Sequence, residues 1–473
     1  MPIAQFQRAT VGLVGLAVLA PLLGPGAASA AIDFTPGPRG LGDAYVPTEG
    51  NGGYQVVRYD IDVKYNPDTT RLTGTTTIKA KATQNLSRFN FDLYGLKVSS
   101  VTADATAASF RQHGVHELTI TPSAGIPDGT TYTTVVEYGG KPDLYSDPDL
   151  GDSGWFITND GAIVVGEPEA GMFWFPVNEH PTDKARICVD ATVPEGLRAV
   201  SNGLPVGPPS TSSGWTTLSW CARDRMASYL ATIAIGTWRV HRSTSRTGLP
   251  VLNYVDTSLP RRVDRALARS GEMVAFLNRR FGPYPFEATG GIADDHKSYY
   301  ALENQTRPTY DKWSAKWSGF ESLIAHELAH QWFGDDVSVR RWRNIWLNEG
   351  FATYAEWMWV AHDGGRSVAK RFDDAYARPA GRDFWKLKVS DPRYPDMFDG
   401  PIYYRGAMAL HALRLTVGDR DFWKIMRSWA RDHAGGNAAT SDFKRLAERV
   451  SGQQLDRLFR QWLVDGDKPP DPR

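Results

Sequence analysis

Residues 318–335 read S-G-F-E-S-L-I-A-H-E-L-A-H-Q-W-F-G-D, and residues 346–356 follow with W-L-N-E-G-F-A-T-Y-A-E. His326 and His330 stand one helical turn apart, so both imidazoles leave the same helix face and can converge on one ion. Glu349 comes after eighteen intervening residues, enough for a loop and the first turn of a second helix to return a carboxylate to that ion. Imidazole with carboxylate suits zinc, and a catalytic zinc site takes three protein ligands and keeps one position for water. His326, His330 and Glu349 supply the three, for one Zn2+ per chain. Glu327 adjoins His326 and cannot share its direction, so it is placed to take a proton from water rather than to bind metal. Glu356, about two turns beyond Glu349, can hydrogen-bond a ligand histidine from outside the ligand set. Ser318 with Glu321 fits a capping box at the start of the helix, and Gly334 is placed to end it.

Outward from this stretch the chain divides by periodicity. Helical patterns cover 260–281, 318–333, 346–361, 403–415, 422–429, 441–450 and 454–464, so residues 238–465 read as a mainly helical catalytic domain with a short β segment at 249–254. Ahead of it, residues 31–237 read as a β-rich domain, with strand patterns at 54–65, 74–82, 88–93, 117–121, 131–138, 185–192, 215–221 and 229–240. Apolar and polar residues alternate in these runs, which predicts sheets with one wet face and antiparallel pairing. The fold class is α+β. The tail 466–473, G-D-K-P-P-D-P-R, is polar and proline-rich and is expected to be flexible.

At 473 residues the chain exceeds one ordinary core, which agrees with two domains. Lys plus Arg and Asp plus Glu number 53 each, so whole-chain charge makes no case for nucleic acid or an anionic membrane. Arg8, the apolar run over 11–23 and the small residues Ala28-Ser29-Ala30 compose a signal peptide of residues 1–30. The expected mature protein is secreted, without stable membrane insertion; its oligomeric state has no signature here. Cys188 and Cys221 both lie in strand-like runs, and export into an oxidising compartment predicts a disulfide between them. Of the other histidines, His113 and His116 sit among strand residues with no third ligand nearby, and His180, His241, His296, His362, His411 and His433 are isolated, so each reads as a surface or packed residue.

H-E-L-A-H at 326–330, the gap after it and W-L-N-E-G-F-A at 346–352 together resemble the aminopeptidase N and leukotriene hydrolase family, zinc peptidases of the gluzincin group with a thermolysin-like catalytic domain. Y-A-L-E-N at 300–304 is similar to the family's Gly-x-Met-Glu-Asn motif, which implies that Glu303 holds a substrate's free α-amine. Y-Y-R-G-A at 403–407 matches Tyr-x-Lys-Gly with Arg405 for lysine, which gives Tyr403 the role of stabilising the oxyanion. In E-P-E-A-G-M-F-W-F-P-V-N-E-H-P at 167–181, Glu167 falls where the family lines the amine pocket. The resemblance implies a zinc aminopeptidase acting on peptides with a free N-terminus. Tyr300 and Leu302 depart from the glycine and methionine of the family motif, which keeps a zinc endopeptidase as an alternative, beside a non-catalytic zinc or peptide-binding protein. The resemblance ends with the catalytic domain, so a short form with a more open cleft is expected.

Overall fold

In Tyr54–Asn66 buried residues fall at 54 and 56, then at 59, 61, 63 and 65. The switch from even to odd comes where a β-bulge between Val56 and Arg58 absorbs one residue of the pairing with Arg71–Ala82. An extra residue is how a strand turns its apolar set back to the core after an interruption in alternation. The computed structural model describes residue 10 and residues 33–473. The expected signal segment, apart from Thr10, lies outside the described residues.

Tyr54–Asn66 sits inside a large sheet with Arg71–Ala82, Thr131–Gly140 and Lys97–Ala103 on one side and Arg186–Pro194 and Trp215–Cys221 on the other. A second sheet holds Leu86–Asp92, Glu117–Thr121 and Ser109–His113. A third holds Leu144–Asp147, Gly151–Ile157, Ala162–Val165, Ile233–Gly236 and Arg198–Ser201. Among the strands just named the pairing is antiparallel except that Arg186–Pro194 runs parallel to Tyr54–Asn66, a geometry that needs the long crossover lying between them. Cys188 and Cys221 are register partners on neighbouring antiparallel strands and are joined as a disulfide.

The expected strand over 229–240 is broken. Ser228–Leu230 forms a 3-10 turn, Ile233–Gly236 belongs to the third sheet, and Trp238–Thr244 opens a fourth with Pro250–Asp256, Thr289–Ala293, Thr309–Tyr310 and Ala301–Leu302. The chain changes sheets at Thr237, whose amide donates to the Asp160 carboxylate at 2.8 Å. The helix expected over 260–281 is likewise two, Arg262–Leu267 and Ser270–Phe281. Short helices at Val368–Tyr376 and Asp383–Lys386 complete the helical half, the former opened by Ser367, whose hydroxyl accepts from the Lys370 amide. Among the described residues no helix is long and apolar enough to cross a membrane.

The tail does not hang free. The Tyr376 hydroxyl donates to the Pro469 carbonyl at 2.6 Å, the Lys468 ammonium lies 4.1 Å from the Tyr376 ring centre, and Arg473 pairs with Asp373 at 2.8 Å. Its prolines, which rule out regular structure, leave carbonyls free to accept from the helix beside them.

Candidate active site

The helix Phe320–His330 starts at Gly319, without a side-chain cap. The expected capping box is absent: Glu321 instead accepts from the Arg269 guanidinium, which also binds Asp363. The helix stops at His330, and Gly334, at φ +139°, turns the chain beneath it; a Cβ there would stand 3.3 Å from His330 Nδ1. The second helix, Trp346–His362, carries Glu349 in its first turn. Phe333 behind the first helix, Phe351 and Trp346 on the second and Phe443 from the helix Thr440–Ser451 pack as one aromatic cluster, ring centres 4.8 to 6.1 Å apart, the two Phe443 pairs edge to face and the other two tilted.

This packing brings His326, His330 and Glu349 together, all three buried, with one ligand atom from each within 4.8 Å of the others. Glu349 Oε2 lies 3.2 Å from His326 Nε2 and 3.5 Å from His330 Nε2. On the far side of its ring His330 Nδ1 faces the Phe333 carbonyl at 3.1 Å, which holds the proton there and leaves Nε2 free as a lone-pair donor. Two imidazoles and one carboxylate, converging and buried, fit zinc. Burial works against charge on His330, yet Glu349 and Glu303 push its pKa up to about 9. Burial also opposes charge on Glu349, but His330 and His326 pull it down to about 2. The local field favours positive charge at this point. Glu356 Oε2 stands 3.8 Å from His326 Nδ1, beyond hydrogen-bond reach, and its other oxygen faces Arg371 at 3.7 Å.

The expected site residues line one cleft of about 520 Å³, with Glu167, Glu303, Glu327, Tyr300, Tyr403 and Phe398 around the three ligands. Glu303 follows the edge strand Ala301–Leu302, and one of its carboxylate oxygens lies within 4.8 Å of ligand atoms of Glu327 and His330. Its Oε1 accepts from the Tyr229 hydroxyl at 2.9 Å, and its carbonyl accepts from Gln331 Nε2 at 2.9 Å. Burial pushes the carboxyl groups of Glu303 and Glu167 up, and for Glu167 the neighbouring Glu303, Glu349 and Glu327 push further. Glu167 Oε1 finds no hydrogen-bond partner among the described residues. Burial, opposed by both histidines, lifts Glu327 to about 8. The Tyr403 ring stacks on His326, centres 6.0 Å apart, and burial together with the surrounding carboxylates keeps its hydroxyl protonated, as a donor.

Two family models match the chain: the Peptidase M1 N-terminal domain over residues 55–230 and the Peptidase family M1 domain over residues 265–462. The chain belongs to the peptidase M1 family. It is 28% identical over 335 residues to Aminopeptidase M1-C of Oryza sativa subsp. japonica, covering 66% of this chain and 38% of that protein. Probable aminopeptidase 2 of Sulfurisphaera tokodaii is 25% identical over 406 residues, covering 80% of this chain and 50% of that one. The chain thus spans half or less of these curated relatives. Among solved structures, the M1 zinc metallopeptidase of Deinococcus radiodurans superposes with a TM-score of 0.84 at 29% identity, over 92% of this chain and 99% of that one. A variant of that enzyme was solved bound to a Tyr-Ser-Ala substrate.

Several residues of this M1 site escape sequence reasoning. Tyr229 falls inside a run read as strand, and nothing in that run marks a hydroxyl aimed at Glu303. Gln331 adjoins the zinc motif but shows its role only through three contacts, to the Glu303 carbonyl, the Thr306 amide and the Tyr284 hydroxyl. Arg405, noted as a substitute for lysine, lies fully buried and donates to the carbonyls of Trp385, Leu387, Gln461 and Asp465. It ties the helix Gly400–Val417, which carries Tyr403, to the end of Asp456–Leu463. Gly406 meets Gly350 where that helix crosses the Glu349 helix; a Cβ on Gly350 would lie 2.9 Å from Gly406 Cα.

Proposed function

We propose that the chain is a zinc-dependent aminopeptidase that hydrolyses the first peptide bond of substrates with a free N-terminus. The observation that carries the reading is the pair of carboxylates, Glu303 and Glu167, set in the same cleft as the metal-ligand group. A protonated α-amine would relieve their repulsion, and anchoring it there leaves room for one residue before the scissile bond. His326, His330 and Glu349 would hold the zinc. When bound, zinc would supply a Lewis acid that polarises the scissile carbonyl and makes a water more acidic. Glu327 is the base that accepts the proton of that water and passes it to the departing amine. Tyr403 donates its hydroxyl hydrogen to the oxygen on which negative charge develops. Tyr229 and Gln331 hold Glu303 at its carboxylate and carbonyl and so position the amine anchor.

A peptide offered with a free and with an acetylated N-terminus tests this. Cleavage of the free form only, with release of single residues, is expected. Equal cleavage of both forms would replace the reading by an endopeptidase, in which Tyr300, one of the residues lining the cleft and tied through its hydroxyl to the Asp152 carbonyl at 2.8 Å, takes space from the amine pocket. Glu303→Ala should harm the free peptide alone.

Two further readings belong here. Residues 1–30 direct export, supported by their composition and by the bridged cysteines, and an N-terminal sequence of recovered secreted protein starting near Ala31 is the expected result. Residues 31–237 and 238–465 are separate domains in evolution, which the two family matches at 55–230 and 265–462 support.

A further inference from the structure

Asp92 and Glu117 are register partners at the end of an antiparallel pair, so both carboxylates leave the same face of the sheet. Like charges directly opposite one another destabilise a sheet unless a cation separates them. Asp92 is wholly buried. Its Oδ2 accepts from the Gly50 amide, the Asn51 amide group and the Glu179 amide, but its Oδ1 has no hydrogen-bond donor among the described residues. That oxygen faces His116 Nε2 at 3.6 Å, and in the metal-free protein Nε2 donates its hydrogen to the Thr48 carbonyl at 3.1 Å. Glu117, only 7% exposed, has Oε1 without a hydrogen-bond donor among those residues too, and ligand atoms of Asp92, His116 and Glu117 all lie within 4.8 Å of one another.

We infer that Asp92, His116, Glu117 and the Thr48 carbonyl form a second metal site, structural in role, for a divalent transition ion that takes the place of the Nε2 proton now shared with Thr48 and releases it to solvent on binding. Ligands about 2.1 Å from an ion at the centre of a tetrahedron stand about 3.4 Å apart. The 3.1 and 3.6 Å separations bracket that value, as do the 3.2 and 3.5 Å separations in the catalytic group. Three oxygens and one imidazole nitrogen suit Mn2+ or Zn2+; the imidazole argues against Ca2+ or Mg2+. The ion would join the loop carrying Thr48 to the strands Leu86–Asp92 and Glu117–Thr121. The competing cation is Arg39, whose Nε stands 3.9 Å from Glu117 Oε1; its side chain is more than half exposed and also reaches His113, so it can swing aside. The sequence assigned His116 a surface or packing role because Asp92 reaches it only through strand pairing.

The test uses the full chain with the catalytic ligands removed, His326→Ala/His330→Ala, dialysed against MnCl2 or ZnSO4 and analysed for bound metal and melting temperature. One ion per chain is expected, with a metal-dependent rise in melting temperature. Adding His116→Ala or the near-isosteric Glu117→Gln should weaken binding by more than the about tenfold lost with an outer-shell partner. Arg39→Gln, which removes the competing charge, should tighten it. Melting without added metal reports whether each variant folds. An absence of retained ion in the doubly substituted parent would overturn the site. So would uptake and melting shifts that His116→Ala, Glu117→Gln and Arg39→Gln all leave unchanged.

Discussion

Glu327 shows how one helix face can be divided between two tasks. Its neighbours at 326 and 330 point their Nε2 atoms at Glu349, whereas Glu327 lies toward Glu303, on the side where substrate would enter. Replacing Glu327 by Gln keeps the shape and removes the base. Turnover should fall by about 10²–10⁴-fold with bound zinc unchanged, and a variant that cuts at the parent rate would remove Glu327 from the mechanism. This residue and the three ligands were legible because their spacing alone sets their geometry. Glu356 was legible only as a position: its seven-residue offset brings it to His326 but leaves 3.8 Å between them, since Arg371 draws on the same carboxylate. Tyr229 was not legible at all, because a hydroxyl that reaches Glu303 across the fold leaves no local pattern.

Elements were legible where periodicity is strong. Glu117–Thr121 and Trp215–Cys221 match the expected strands residue for residue, and the zinc helices fall where the histidines require them. The failures have physical causes: the alternation through 229–240 continues across Thr237 although the strand does not, because two sheets of like pattern meet there. The capping box at Ser318 fails because Arg269, distant in sequence, takes Glu321. The crossing of Gly400–Val417 over Trp346–His362 depends on Gly350 and Gly406, and Gly406→Ala would force the helices apart where a Cβ has no space. Overpacking of this kind costs about 1–3 kcal/mol, and displacement of Tyr403 should lower kcat/KM by up to about 100-fold. Steady-state kinetics beside thermal melting would separate the two effects; a parent-like rate would show that helix spacing does not position the tyrosine.

At the scale of the whole molecule, buried ionisable groups couple stability to pH. His411 lies buried, with Nδ1 3.3 Å from the Tyr354 hydroxyl, and burial, with help from Arg414 and Arg473, lowers its pKa to about 4. Because that value is below the 6.5 of an unfolded chain, the native state binds fewer protons, and its stability falls as pH drops from about 6.5 to 4. The contribution is at most about 3 kcal/mol. His411→Gln should therefore lose less stability than the parent across this window, measured by denaturant unfolding at each pH, and parallel curves would contradict it. The two-part architecture was legible from the change of period, while the parallel pairing of Arg186–Pro194 with Tyr54–Asn66 and the docked tail depend on long-range contacts.

Arg405 sets a limit on where this polypeptide can be shortened. Two of its four carbonyl acceptors, those of Gln461 and Asp465, come from near the end of the chain. A truncation behind Asp467 leaves the guanidinium satisfied, and such a protein should fold and turn over normally. A truncation ahead of Gln461 removes two of the four acceptors of a buried cation beneath the tyrosine helix, a loss of about 1.5–3 kcal/mol for each bond, and should yield insoluble or inactive material. The boundary for trimming, fusing or circularly permuting this polypeptide is thus drawn by one side chain more than fifty positions upstream.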